Sequence, residues 1–217
     1  GHVNDLFVPT KVGKDRFGGC RIGLVAAGDS HSLAVSAEGN RVFAWGCGRD
    51  GCLGVPVFED RLLPTELLQA FQDSSIVVVA AGRAHTVAVA RDGKMWAWGS
   101  GSSGQLGLGD KFSRKKPTLI TGGIEGEGES VFGRSVMVMA ACGSEHTLAA
   151  TQDGGLWAWG STAWGRLGLG PSTIHSSATL LEGAATAGGT TAHDEKSYGE
   201  DVLVPTRVQV ECGHIVS

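Results

Sequence analysis

The chain has 217 residues, of which 35 are glycine and 41% are hydrophobic, with a net charge of −4. That balance argues against a dominant nucleic-acid footprint, and no apolar run approaches the roughly 20 residues of a helical membrane span. Five cysteines, an odd count without a C-x-x-C pair, fit a reducing intracellular compartment, cytoplasmic or nuclear, better than a disulfide framework.

Taken in order, Leu6 to Val12 reads as an outer strand of an incomplete unit and Arg21 to Ala27 as an inner strand. Two more strands follow around His31 to Val35 and Phe43 to Trp45, with Val55 to Arg61 as a short loop. Leu67 to Asp73 fits one helical turn, and Ser75 to Ala81, with its Ile-Val-Val-Val, reads as a strand buried on both faces. His85 to Ala90 and Met95 to Trp98 form a hairpin whose Asp92-Gly93 turn is expected to supply positive φ angles. Asp110 to Lys116 is a small basic loop, Thr121 to Ser130 an exposed Gly- and Glu-rich loop, and Val136 to Ala141 the third inner strand. Pro171 to Asp201 is an insertion rich in Ala, Gly, Ser and Thr, a composition that predicts mobility.

The hairpin occurs three times. Gly28-x-x-His31-Ser32, Gly82-x-x-His85-Thr86 and Gly143-x-x-His146-Thr147 each lead, through a Gly39, Gly93 or Gly154 turn, to Phe43-Ala-Trp45-Gly46, Trp96-Ala-Trp98-Gly99 or Trp157-Ala-Trp159-Gly160. Gly51-x-Leu53-Gly54, Gly104-x-Leu106-Gly107 and Gly165-x-Leu167-Gly168 close the copies. The histidines stand 54 and then 61 residues apart, a period that marks a repeat architecture. Pro9-Thr10, Pro64-Thr65 and Pro117-Thr118 precede the copies, and Pro205-Thr206 is read as opening a fourth. The repeats then run about 9–54, 64–109 and 117–170, with a fourth beginning at 205–217 and the insertion at 171–201, all within one domain.

This pattern resembles the regulator of chromosome condensation (RCC1) repeat. The resemblance covers nearly the whole chain outside the insertion and implies an all-β fold, a propeller of seven four-stranded antiparallel blades. Seven blades at about 55 residues each need roughly 385 residues, so this length implies about half a ring. Gly1-His2, read as a vector remnant, and a stop where a fourth histidine strand would begin point to a fragment. Such an arc leaves apolar flanks on its end blades, and the fragment is expected to self-associate.

Three patterns mimic chemistry. Gly99-Ser-Gly101-Ser-Ser-Gly104 satisfies G-x-G-x-x-G, but Gln-Leu-Gly-Leu-Gly follows and cannot sustain the helix that holds a pyrophosphate. His31, His85 and His146 occupy one place in successive blades, so they diverge around the ring and read as packed histidines bonded to backbone rather than as metal ligands. The tryptophans two apart share one strand face and read as packing between blades. The plant UV-B photoreceptor is similar in its repeats and carries Gly-Trp-Arg-His-Thr motifs; no matching segment here has that tryptophan, which argues against photoreception by these blades.

What the residues and the resemblance imply is a protein-protein interaction module with no cofactor, no metal and no catalytic residue. The candidate contacts lie in the loops after Trp-Gly: Arg49, Asp50, Ser102, Ser103 and Trp164. The alternative, again from the resemblance, is guanine-nucleotide exchange on a Ran-type small GTPase with chromatin association. In the exchange factor, one such loop is extended into a wedge. Here Cys47 to Asp50, Ser100 to Ser103 and Ser161 to Trp164 are equally short.

Overall fold

The computed structural model describes residues 6–68, 70–71, 73–121, 131–170 and 200–209. Twelve strands form three four-stranded antiparallel sheets, each a meander. The first holds β1 (Ile22–Ala27), β2 (His31–Ser36), β3 (Val42–Gly46) and β4 (Arg61–Glu66). The second holds β5 (Ile76–Ala81), β6 (His85–Ala90), β7 (Met95–Gly99) and β8 (Arg114–Leu119). The third holds β9 (Met137–Cys142), β10 (His146–Thr151), β11 (Leu156–Gly160) and β12 (Val202–Val208). These are three consecutive blades of a β-propeller, with β1, β5 and β9 adjacent along the inner side.

Sequence repeat and blade are out of phase by one strand. Pro64, Pro117 and Pro205 lie in β4, β8 and β12, each the last strand of the blade before it. Proline lacks the N–H that a central strand needs, so the outermost strand is its place. Pro205-Thr206 therefore closes the third blade instead of opening a fourth. Leu6 to Val12 forms no strand. It keeps one trace of the motif: the Thr10 hydroxyl donates to Val8 O (3.2 Å), as Thr65, Thr118 and Thr206 do to Leu63, Lys116 and Val204.

The described residues of Leu67 to Asp73 form turns, with Asp73 left-handed at φ 64°. Three other expectations change. β5 is only half-buried at Val77, Val78 and Val79, because an innermost strand borders the propeller axis. In the β6–β7 hairpin Gly93 alone has positive φ (83°); Gly93 N–H donates to Ala90 O and Ala90 N–H to Lys94 O. That is a three-residue loop with glycine in the left-handed position, not a two-residue turn with Asp92 also left-handed. The third inner strand starts one residue later than expected, at Met137. Nearly all of the 171–201 insertion, the loop from 122 to 130 and the expected fourth histidine strand lie outside the described residues.

The core sits between blades. One cluster joins Leu33, Val35 and Leu53 of the first blade to Ile76, Ala88, Trp96 and Trp98 of the second. Another joins Val87, Val89 and Leu106 of the second to Met137, Ala149 and Trp159 of the third. Every residue of β6 and β7 is buried as a result, since the second blade is covered on both faces. Phe17, Phe71 and Phe132, each fourteen residues ahead of its blade's histidine, pack edge-on or tilted against Phe43 and Trp45, Trp96 and Trp98, and Trp157 and Trp159.

Candidate partner-binding face

Strand β2 begins where β3 ends, so the β1–β2 turn and the β3–β4 loop share one end of the blade. Backbone bonds tie them: Cys47 N–H donates to Ser30 O (2.9 Å), Ser100 to Ala84 O (2.8 Å) and Ser161 to Glu145 O (2.8 Å). All five candidate contacts lie at this end, in three loops on three blades.

The first two loops are also fastened to the blade that follows. The Cys52 carbonyl accepts from the Thr86 hydroxyl (3.1 Å) and the Trp98 indole (2.9 Å), both on the second blade. Gln105 O accepts in the same way from Thr147 (2.8 Å) and Trp159 (2.9 Å) on the third. His31 Nε2 lies 2.8 Å from Thr86 Oγ1, and His85 Nε2 3.1 Å from Thr147 Oγ1. A hydroxyl has one proton, already given to the carbonyl, so it must accept from the imidazole. That fixes the Nε2–H tautomer of His31 and His85 and leaves their Nδ1 as a bare lone pair; Nδ1 of His31, His85 and His146 is buried with no hydrogen-bond partner among the described residues. The expected backbone partner is therefore one step removed: histidine to hydroxyl, hydroxyl to carbonyl, across the blade junction.

Burial holds these rings neutral. Desolvation lowers His31 to about 4, partly opposed by Asp29, and lowers His85 to about 3, reinforced by the two other histidines. His146 is lowered by burial and by Arg166. Glycine at the head of G-x-x-H is a packing requirement. A Cβ on Gly28 or Gly82 would strike its own blade's imidazole and the carbonyl oxygen of Gly82 or Gly143 on the next blade.

The loop tips are exposed on this anchored base. Arg49 and Asp50 are exposed, with Asp50 at φ 59°, and Trp164 is 77% exposed at φ 63°. Those two loops close as 3₁₀ turns, Arg49–Gly51 and Ala163–Gly165. In the middle loop Ser102 is exposed and Ser103 half-buried, its N–H held by Gln105 Oε1 at 2.8 Å. Within the basic stretch expected nearby, Arg114 pairs with Asp110 (2.6 Å) and Lys111 with Asp201 (2.7 Å), while Lys115 lies over the Phe58 ring (3.9 Å). Among the described residues, no group of three or more His, Cys, Asp or Glu is placed to hold a metal, and no helix is long and apolar enough to cross a membrane.

Sequence reasoning missed the Thr86 and Thr147 links, the Cys52 and Gln105 carbonyls, and the three phenylalanines. The threonines had a signal, a hydroxyl residue directly after each histidine, and the phenylalanines a constant spacing. The carbonyls had none, because Cys52, Gln105 and Arg166 share no side-chain character at their common place.

Blades of this register, interlocked by tryptophan, threonine and histidine, define a repeat propeller. The profile of the Regulator of chromosome condensation (RCC1) repeat matches residues 40–89 and 92–150. A second RCC1 repeat profile matches 24–52, 76–105 and 140–162. The chain is 40% identical over 175 residues to the Ultraviolet-B receptor UVR8 of Arabidopsis thaliana, covering 81% of this chain and 37% of that protein. It is 34% identical over 148 residues to the human probable E3 ubiquitin-protein ligase HERC6, covering 68% and 14%. Among solved structures, yeast Prp20p superposes with a TM-score of 0.63 at 21% identity, over 89% of this chain and 39% of that one. Human WBSCR16 gives 0.60 at 23% identity, over 87% and 38%, and both establish the fold alone. The chain belongs to the RCC1 repeat family, and it spans well under half the length of these relatives.

Proposed function

We propose that this chain is a protein-protein interaction module without chemistry of its own, which meets its partner through the loop tips carrying Arg49, Asp50, Ser102, Ser103 and Trp164. The carrying observation is the contrast within the first two loops, whose bases are locked to the following blade through the Cys52 and Gln105 carbonyls while their tips reach the surface; the third loop presents Trp164 at 77% exposure. A preorganised loop loses little conformational freedom on binding, so more of the contact energy appears as affinity. Tryptophan and arginine are the side chains that most often dominate such contacts. Repeats of this kind occur in proteins named as a photoreceptor and as ubiquitin ligases, which supports a shared role as scaffold rather than a shared reaction.

Exchange on a Ran-type GTPase draws no support from the visible loops, which are short in all three blades. The test is affinity capture with the wild-type chain and with an R49A/W164A variant, followed by nucleotide release from a GDP-loaded Ran-type GTPase. Partners captured by the wild type should be lost by the variant, and release should stay at background. Equal capture by both proteins would overturn the loop assignment. Accelerated release would move the chain to the exchange class.

A further inference from the structure

One place in the repeat holds an anion in the two outer blades and a neutral hydroxyl in the middle one. The residue just before the outermost strand is Asp60 ahead of β4, Ser113 ahead of β8 and Asp201 ahead of β12. Their register is the same, since the next residues, Arg61, Arg114 and Val202, pair with Gly46, Gly99 and Gly160. In the first blade the Asp60 carboxylate accepts the Gly48 N–H at 2.9 Å; in the second the Ser113 hydroxyl accepts the Gly101 N–H at 3.3 Å. The surroundings of the two bonds are shared. A Cβ on Gly48 would strike the carbonyl oxygen of Glu59, and one on Gly101 that of Phe112, in each case the residue before the acceptor. Gly101 directly precedes Ser102 and Ser103, so its bond to Ser113 pins the base of the second loop tip.

Ser113 is exposed, and its hydroxyl proton has no acceptor among the described residues. The sequence around it is cationic. Lys111 stands two positions before it, and Arg114, Lys115 and Lys116 follow directly. No other serine or threonine of the chain has a lysine or arginine within three positions on both sides. Lys115 and Lys116 are exposed. They stand on β8, which pairs with β7 alone, so the cations are presented on an extended backbone with one open edge.

We propose that Ser113 is a phosphorylation site, and that its phosphate fastens the second loop by the bond a carboxylate already makes in the first. The modifying enzyme is a protein kinase with an acidic substrate groove, which selects the flanking cations. The Ser113 oxygen attacks the γ-phosphorus of ATP, the bond from that phosphorus to the β–γ bridging oxygen breaks, and ADP leaves. The hydroxyl proton passes to the kinase's catalytic carboxylate. The product carries about −1.5 to −2 charges and three acceptor oxygens. One of them takes the Gly101 N–H in a charge-assisted hydrogen bond, shorter and stronger than the neutral one. Arg114 and Lys115, next in the chain, supply countercharge. The site goes beyond the loop-tip reading and stands without it, because neither the modification nor the bond involves a bound partner.

The test treats the folded 217-residue chain with ATP and the catalytic domain of a basic-directed kinase, protein kinase C, beside an S113A variant. Mass spectrometry should find one phosphate, on Ser113, and none on S113A. Amide hydrogen exchange should then show Gly101 protected roughly fivefold more than in the unmodified chain, the step from a neutral to a charge-assisted bond. S113D, which copies the first blade, should move Gly101 the same way without any kinase, and S113A the opposite way. A chain left unmodified would overturn the proposal, as would equal uptake by S113A. Phosphate on Ser113 that leaves Gly101 exchange unchanged, or an S113D variant no different from the wild type, would overturn it too.

Discussion

The histidines show how one residue type can serve a repeat protein without chemistry. The His31 and His85 imidazoles each donate to a hydroxyl on the next blade, and that hydroxyl donates to a loop carbonyl. Removing the ring from His85→Ala strands the Thr147 hydroxyl's acceptor side and opens a hole against Gly82. It should lower stability by about 1–3 kcal/mol, the cost of unpaired buried polar groups. Urea unfolding measures this, and the wild type should carry no stoichiometric zinc for the substitution to release. The same burial makes a pH prediction. Both rings titrate lower when folded, about 4 for His31 and about 3 for His85, than the ordinary 6.5, so the unfolded chain binds protons first. Their contribution is complete above pH 6.5 and declines as pH falls toward 4 and then 3, by at most about 1.4 kcal/mol per pH unit for each ring. H85A should flatten that acid limb. An unchanged limb would show that carboxylates, not these rings, govern acid unfolding.

At the scale of the element, the blade was legible in the sequence wherever its determinants are local. His85 to Ala90 is a strand because six uncharged small and β-branched residues lie between a glycine turn and a glycine hairpin. The fourth strand was not legible in the same way. Pro64-Thr65 stands between two units, and only sheet closure decides that it pairs with β3 behind it and not with β5 ahead. The phenylalanines were hidden for another reason: each lies outside the strands, where strand periodicity has nothing to count. Their role is testable by position. Phe71→Ala empties a site between two blades, beside Trp96 and Trp98, and should cost about 3–5 kcal/mol. Phe17→Ala removes a ring that packs on one blade only, so its unfolding midpoint should shift less.

The candidate loops were legible as loops and not as positioned groups. Their exposure follows from composition, but nothing local in the sequence marks the positive φ of Asp50 and Trp164. The whole molecule then follows from nearest-neighbour contacts. Each blade touches only the blades beside it, so stability is close to a sum of blade and junction terms. The second blade has two junctions and its neighbours one each, and β6 and β7 are buried throughout. Opening free energies should therefore rise toward the middle of the arc and fall toward both ends. Amide hydrogen exchange measures this directly. Amides of β6 and β7 should exchange slowest, those of β2, β3, β10 and β11 faster, and those of β1 and β12 fastest. The order within a blade also follows, since β12 has a partner on one side only. Equal protection across all three blades would mean that the arc unfolds as one unit, its junctions stronger than any blade is by itself.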